Sequence, residues 1–136
     1  MHPRVHRAYW NHEYAMHTYY IDMRWPLVVS GLEALVNVGE SNVTQQFRLR
    51  VLQLATEFQI PLTEAEARLA YKLRSKLVHA ENFLAGLEAI LPQSQHSALY
   101  EKLEAILRAT IRRCLVDEKS GDFFRDGAAV KARWPA

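Results

Sequence analysis

The segment Thr63–His79, TEAEARLAYKLRSKLVH, constrains the fold most, because it carries a nearly complete set of helix signals. Pro61 ends the preceding segment, and Thr63 is a favoured N-cap residue. Glu66 stands three residues after Thr63, where its carboxylate can bond back to the N–H of the cap. No glycine or proline interrupts the segment, and a helical turn of about 3.6 residues places four small or aliphatic residues on one face. This face, which we expect to be buried, consists of Leu69, Ala70, Leu73 and Leu77.

The rest of the chain has helical spacing and no strand-like alternation of any length. Apolar residues recur every three or four positions in four further long stretches and in two short ones. The long stretches are residues 4–20, 25–38, 41 or 42 to about 59, and 98–116, and the short ones are residues 83–91 and 128–133. A turn is expected at Ser120–Asp122. We therefore predict an all-α fold, a bundle of four to five main helices with short additional helices.

Composition sets a few further limits. The length of 136 residues suits a single domain, 1–136, with a C-terminal extension from about residue 117 to residue 136. A net charge of +2 predicts no large nucleic-acid footprint, so any basic site must be local. The single Cys114 excludes an internal disulfide and a cysteine zinc site. No run approaches the roughly 18 apolar residues of a membrane span, and the start lacks the apolar core of a secretion signal, so we expect a cytoplasmic protein.

The predicted helix 63–79 also carries a basic stripe, made of Arg68, Lys72, Lys76 and His79. No acidic residue occurs between Arg68 and His79, so the segment is locally cationic. Arg74 and His79 are separated by about 7.5 Å of helical rise, within reach of one phosphate, but they point in different directions around the helix. A second helix facing this one would be the natural way to close a site.

The segment Tyr71–Ala80, YKLRSKLVHA, resembles the signature helix of HEPN domains (higher eukaryotes and prokaryotes nucleotide-binding), in particular the Apea-like branch. Its Arg74 and His79 form an R-x4-H pattern, which is weak alone but more specific when Tyr71 and Ser75 accompany it on a capped helix. Leu32–Leu35, LEAL, adds to the resemblance in the preceding helical region. The resemblance covers about residues 22–115 and implies a HEPN-like helical bundle.

The resemblance implies a metal-independent endoribonuclease with a composite active site at a homodimer interface. HEPN ribonucleases cleave RNA by attack of a 2′-OH, with R-x4-6-H motifs that meet across the dimer. By that resemblance Arg74 and His79 are catalytic and Tyr71 and Ser75 support them. Histidine near its ordinary pKa of about 6.5 suits acid or base work, and the arginine fork matches phosphate oxygens. RNA would be bound by Arg68, Lys72 and Lys76.

The same resemblance implies partners and a biological setting. We expect a homodimer through the signature helix, single-stranded RNA as ligand, no metal or other cofactor, and no membrane. A role in a toxin or antiviral defence system would add a protein antitoxin or a larger partner domain.

A non-catalytic interpretation stays open, because an arginine and a histidine five positions apart on a helix are usually a surface cation and a helix-end histidine. Arg74 and His79 would then hold the interface of a HEPN dimerisation module or of a nucleotide- or RNA-binding module. A third interpretation is a helical scaffold within a larger DNA-binding or defence protein.

Two features near the N-terminus have structural interpretations. His2 and His6 have the i, i+4 spacing of a helical metal pair, but no carboxylate completes an H-E-x-x-H pattern, and solvent-facing positions are favoured. Glu33 interrupts an apolar run and is expected to have a structural role. It is either partly exposed, or paired with a basic side chain, or paired with the signature helix or a partner protomer.

Two features elsewhere concern burial. Arg48 and Arg50 lie off the apolar face of the third predicted helix, so solvated positions are favoured for both. Trp134, close to the end of the chain, suggests docking onto the body of the protein or onto another chain.

Overall fold

The predicted all-α fold is confirmed by the computed structural model, which describes residues 3–19, 21–77 and 93–136. Within these residues five long helices and two short ones form a helical bundle, and no strand occurs. The helices are α1 (Pro3–His17), α2 (Ile21–Val36), α3 (Val43–Glu57), α4 (Glu64–Leu77), α5 (Gln93–Val116), α6 (Glu118–Arg125) and α7 (Gly127–Arg133). Helix α5 begins earlier than the predicted residue 98, and the predicted short helix 83–91 lies outside the described residues.

Helix α2 lies at the centre of the hydrophobic core, as its apolar sequence predicts for a helix buried on most sides. Six of its side chains are fully buried: Trp25, Val28, Val29, Leu32, Leu35 and Val36. Gly31 sits where α2 meets α1 and α5, and a Cβ atom there would lie 2.8 Å from Cδ2 of Leu107 and 3.4 Å from the carbonyl oxygen of Ala8. Glycine at this position therefore allows the three helices to pack closely. None of the helices in the described ranges has both the length and the apolar character to cross a membrane.

Arg50 of α3 is buried, so the prediction of a solvated position was wrong. Its side chain is 1% exposed, and its guanidinium donates hydrogen bonds to the carbonyl oxygen of Val36 at 2.6 Å, to Oε1 of Gln46 at 2.6 Å and to the carbonyl oxygen of Trp134 at 2.9 Å. These bonds offset the cost of removing the cation from water. Burial lowers the pKa of the Arg50 guanidinium. The neighbouring Arg48 lies on the surface side of α3 and pairs with Glu64 at 3.5 Å.

The connection between α2 and α3 is held by the side chain of Gln46. Its Nε2 donates to the carbonyl oxygens of Val38 at 2.9 Å and Ser41 at 2.6 Å, and its Oε1 accepts from the Val38 N–H at 2.7 Å. Gly39 and Asn42 in this connection have φ angles of 72° and 54°, which let the chain reverse within a few residues. Gln46 and Arg50 thus join the end of α2 to the C-terminal segment.

The expected turn at Ser120–Asp122 was wrong, because these residues lie inside helix α6. Asp117 begins that helix by accepting from the Lys119 N–H at 3.2 Å and the Ser120 hydroxyl at 2.8 Å. Helix α6 is also held by burial of Phe124, which is 4% exposed. Local capping and burial therefore override the turn propensity of the Ser-Gly-Asp sequence.

The C-terminal segment docks onto the body of the protein, as one of the two interpretations of Trp134 predicted. The Trp134 side chain is 7% exposed, and its ring centroid lies 5.2 Å from that of Phe123 in an edge-to-face arrangement. Asp126 caps the short helix α7 by accepting from the Ala128 N–H at 2.9 Å. Helices α6 and α7 and the residues after them therefore extend the hydrophobic core.

Candidate functional site

Helix α4 begins with the reciprocal cap that the sequence predicts. The Thr63 N–H donates to Oε1 of Glu66 at 3.0 Å, and the Glu66 N–H donates to Oγ1 of Thr63 at 3.1 Å. The Glu66 carboxylate also pairs with the Lys102 ammonium of α5 at 3.0 Å. These contacts fix the start of α4 and its position against α5.

The pKa of Glu66 reflects this arrangement. Burial alone would raise it, but the hydrogen bonds from Thr63 and Lys102 and the charge of Lys102 outweigh burial and lower the pKa below its ordinary value of 4.5. The ionised carboxylate therefore stabilises the folded state at neutral pH, and this contribution is lost as the pH falls from about 4.5 through the lower folded-state pKa.

The buried side of α4 packs against α2 and α3 and is rotated from the predicted face. Ala67 and Ala70 are fully buried, and Leu73 and Tyr71 are 1% and 8% exposed. Leu69 is only partly buried. Alanine at two buried positions lets α4 approach its neighbours closely, which places the larger leucine at the margin of the interface.

Tyr71, a predicted supporting residue of the site, is part of the core. Its ring centroid lies 4.9 Å from that of Phe47 in α3, with an angle of 42° between the ring planes. Most of the ring is thereby withdrawn from solvent, so a base could not stack on it without displacing core contacts. Tyr71 anchors the middle of α4 against α3.

Two of the predicted RNA-binding residues lie on the exposed side of α4. The Arg68 side chain is 61% exposed and pairs with Glu64 at 3.3 Å, and Lys72 is exposed one turn further along. Glu64 also pairs with Arg48 of α3, a basic neighbour that the sequence pattern did not identify. The structure therefore brings Arg48 beside the start of the basic stripe, through packing of α3 on α4.

The remaining predicted site residues are only partly described. The helical backbone of α4 continues through Leu77 and thus includes residues 74, 75 and 76. The side chains of Arg74, Ser75 and Lys76 lie outside the described residues, and so does the whole of His79. The described part of the site is therefore the anchored helix and its first two exposed cations.

In the His2–His6 pair, the described member has the solvent-facing position that the sequence favours. His6 is exposed and accepts a hydrogen bond from the indole N–H of Trp10, while His2 lies outside the described residues. Within residues 3–19, 21–77 and 93–136, no three His, Cys, Asp or Glu side chains are grouped as a metal site would need. Glu33 is half-buried beside Arg4 and Arg7, in the groove between α1 and α2.

Comparison of the chain with protein-family models, with curated proteins and with solved structures found no match in any of the three.

Glu66→Ala is expected to lower the free energy of unfolding by about 1 kcal/mol at pH 7, because it removes one half of the reciprocal cap and the pair with Lys102. The difference from the wild type should shrink below pH 4.5, as the wild-type carboxylate is protonated. Urea unfolding at several pH values measures both effects. Glu64→Ala is the matched control, since Glu64 also lies in the first turn but is 61% exposed. Equal loss in the two variants, or a loss for Glu66→Ala that does not depend on pH, would contradict the role of the cap.

Proposed function

We propose that this chain is a metal-independent endoribonuclease of the HEPN type, with a composite active site formed by the α4 helices of two copies. The observation that carries the proposal is the R-x4-H pattern of Arg74 and His79, which begins within α4. The start of α4 is fixed by a reciprocal cap, and its inner side is packed on α2 and α3. A helix anchored in this way can hold catalytic side chains in a fixed orientation, as catalysis by positioning requires.

The proposed reaction needs a base, an acid and a cation. One histidine takes the proton from a ribose 2′-OH, which then attacks the adjacent phosphorus. The histidine of the second copy gives a proton to the departing 5′ oxygen, and the products are a 2′,3′-cyclic phosphate and a free 5′-OH. The two Arg74 guanidinium groups stabilise the extra negative charge on the phosphorane. A two-fold dimer supplies both histidines from one motif.

The exposed cations of α4 support the proposal. Arg68 and Lys72 lie on the solvent side of the helix, six and two positions before Arg74 in the sequence. Phosphate contacts by arginine and lysine position a strand without reading its sequence. In the proposed complex these side chains and Lys76 hold the RNA backbone, while Ser75 donates one further hydrogen bond and Tyr71 anchors the helix.

His79→Ala is expected to reduce RNA cleavage by about 10²- to 10⁴-fold, because it removes both the acid and the base. Single-stranded RNA of mixed sequence is incubated in EDTA with each variant, and the product ends are identified. Arg74→Ala should also reduce cleavage, by about 10²- to 10³-fold, through loss of charge stabilisation. The matched controls are His17→Ala, whose side chain is 80% exposed on α1, and Arg112→Ala, exposed on α5.

Wild-type cleavage in EDTA with 2′,3′-cyclic phosphate ends, lost in His79→Ala but kept in His17→Ala, is the expected result. Equal cleavage by the wild type and His79→Ala would overturn the assignment of His79. Absence of cleavage by a folded wild-type dimer would overturn the proposed activity on this RNA.

A second candidate function is a non-catalytic dimerisation or RNA-binding module. The observation in its favour is a group of large apolar side chains exposed on and just after α1, where Trp10, Tyr14 and Tyr19 are 46%, 59% and 86% exposed. Exposed apolar groups of this kind are typical of interaction surfaces. Under this proposal His79→Ala leaves RNA intact in every sample and changes either assembly, measured by sedimentation, or nothing.

A further inference from the structure

A cleft at the C-terminal end of the bundle combines aromatic rings with basic side chains. It lies between the end of α3, the second half of α5 and the helices α6 and α7, and its volume is about 440 Å³. This volume falls within the range of small-molecule sites, which is roughly 300–1,000 Å³. The lining residues that matter for the argument are Glu57, Phe58, Arg113, Phe123, Arg133 and Trp134. We call this feature the arginine–aromatic cleft.

Two arginines in the cleft are held by one carboxylate. Arg113 donates to Oε2 of Glu57 at 3.3 Å, and Arg133 donates to Oε1 of the same side chain. The Glu57 carboxylate is thus an anion bound between two guanidinium groups. Arginine forks bind phosphate oxygens as they bind carboxylate oxygens, so a phosphate group competes with Glu57 for the same donors.

Each guanidinium also lies over an aromatic ring. The Cζ atom of Arg113 is 4.3 Å from the Phe58 ring centroid. The Cζ atom of Arg133 is 5.2 Å from the Phe123 centroid and 5.1 Å from that of Trp134. The rings therefore keep both guanidinium planes in fixed orientations at the mouth of the cleft. Such planes are surfaces on which a nucleobase stacks.

Both arginines keep donors for a ligand. Among the described residues each guanidinium donates only to Glu57, although a guanidinium has five N–H donors. The side chains of Arg113 and Arg133 are 43% and 54% exposed, so the remaining donors face solvent. With Lys119, the lining has three basic side chains against the two acidic ones of Glu57 and Asp117, and the excess positive charge favours an anion.

We propose that the arginine–aromatic cleft binds a nucleoside monophosphate. The phosphate lies between Arg113 and Arg133, and the base stacks on a guanidinium plane or packs against the half-buried rings of Phe58 and Phe123. The same chemistry is presented by a free nucleotide and by the phosphorylated 5′ end of an RNA strand. The proposal does not rest on the ribonuclease activity, because it uses neither Arg74 nor His79.

Calorimetric titration with AMP, adenosine, inorganic phosphate and phenyl phosphate tests the proposal. AMP should bind at least tenfold more tightly than each of the other three, since only AMP has both a phosphate and a base. The double variant Arg113→Ala/Arg133→Ala should weaken AMP binding by about tenfold or more. Arg112→Ala is the matched control, because Arg112 is exposed beside Arg113 on α5 but does not line the cleft.

The variant Glu57→Gln tests whether Arg113 and Arg133 bind a phosphate or only hold the C-terminal helices in place. If the ion pairs with Glu57 only hold the C-terminal helices, this variant has no reason to bind AMP more tightly. If a phosphate takes the place of the carboxylate, removal of the competing charge should strengthen AMP binding severalfold. Circular dichroism and thermal unfolding of each variant show whether the fold is kept.

The proposal would be overturned by the absence of AMP binding at millimolar concentration, by equal binding of AMP and phenyl phosphate, or by full binding in the folded double variant. A 5′-phosphorylated oligoribonucleotide and its 5′-hydroxyl form are then compared with AMP, to distinguish a free nucleotide from the 5′ end of an RNA strand. Tighter binding of the phosphorylated strand than of AMP would identify RNA as the ligand. Retention of AMP binding in His79→Ala would separate the cleft from the proposed active site. Loss of AMP binding in that variant would place the nucleotide at α4 and overturn the assignment to the cleft.

Discussion

Arg50→Ala is expected to lower the free energy of unfolding by about 4 kcal/mol. The variant removes three hydrogen bonds from a charged donor, each worth about 1.5 kcal/mol or more, and leaves the carbonyl oxygens of Val36 and Trp134 buried without this donor. Removal of a buried cation also relieves its desolvation, so we take the lower end of the range for each bond. Urea unfolding monitored by circular dichroism measures the difference.

The matched control for Arg50→Ala is Arg48→Ala, two positions earlier in α3. The Arg48 side chain is 25% exposed and its pair with Glu64 spans 3.5 Å, so its loss should cost less than about 1 kcal/mol. A difference between the two variants of less than about 1 kcal/mol would show that the Arg50 bonds contribute no more than a surface pair. Because Arg50 also holds the carbonyl of Trp134, Arg50→Ala should loosen the arginine–aromatic cleft, whereas Arg48→Ala should not.

The start of α4 could be predicted and the burial of Arg50 could not, and the difference lies in the range of the contacts. The cap of α4 joins residues three positions apart, so the segment Thr63–Glu66 contains all of its determinants. The bond from Arg50 to Trp134 spans 84 positions, and no local pattern indicates it. A charged side chain on a helix is expected to face solvent unless hydrogen-bond acceptors surround it in the folded protein. For Arg50 one of these acceptors is distant in the sequence, and it comes close only when the helices pack.

The same distinction applies to the candidate site. The basic stripe and the R-x4-H pattern are properties of one short segment of the sequence, so the sequence alone indicates them. The packing of Tyr71 on Phe47 depends on the contact between α3 and α4, which no pattern within α4 indicates. Tyr71, predicted as a supporting residue of the site, is therefore buried in the core. The arginine–aromatic cleft combines residues of α3, α5, α6 and α7, and the sequence indicated only a docking tryptophan there.

Trp25→Ala is expected to lower the free energy of unfolding by about 4 kcal/mol, within the range of about 3–5 kcal/mol for truncation of a buried tryptophan. Trp25 is fully buried near the start of α2, and its ring lies 6.0 Å from that of Tyr100 in α5. Truncation would leave a cavity where α2 meets α5, at the centre of the core. Thermal and urea unfolding measure the loss.

Two further variants test why Trp25 matters. Trp10→Ala removes the same type of side chain from a position that is 46% exposed, so its cost should stay below about 1 kcal/mol. Trp25→Phe keeps most of the apolar volume and removes an indole N–H that has no hydrogen-bond partner among the described residues. Its cost should therefore be much smaller than that of Trp25→Ala, about 1 kcal/mol. If Trp25→Phe were as destabilising as Trp25→Ala, the indole N–H would have to make a bond important for stability, and packing alone would not explain the role of Trp25.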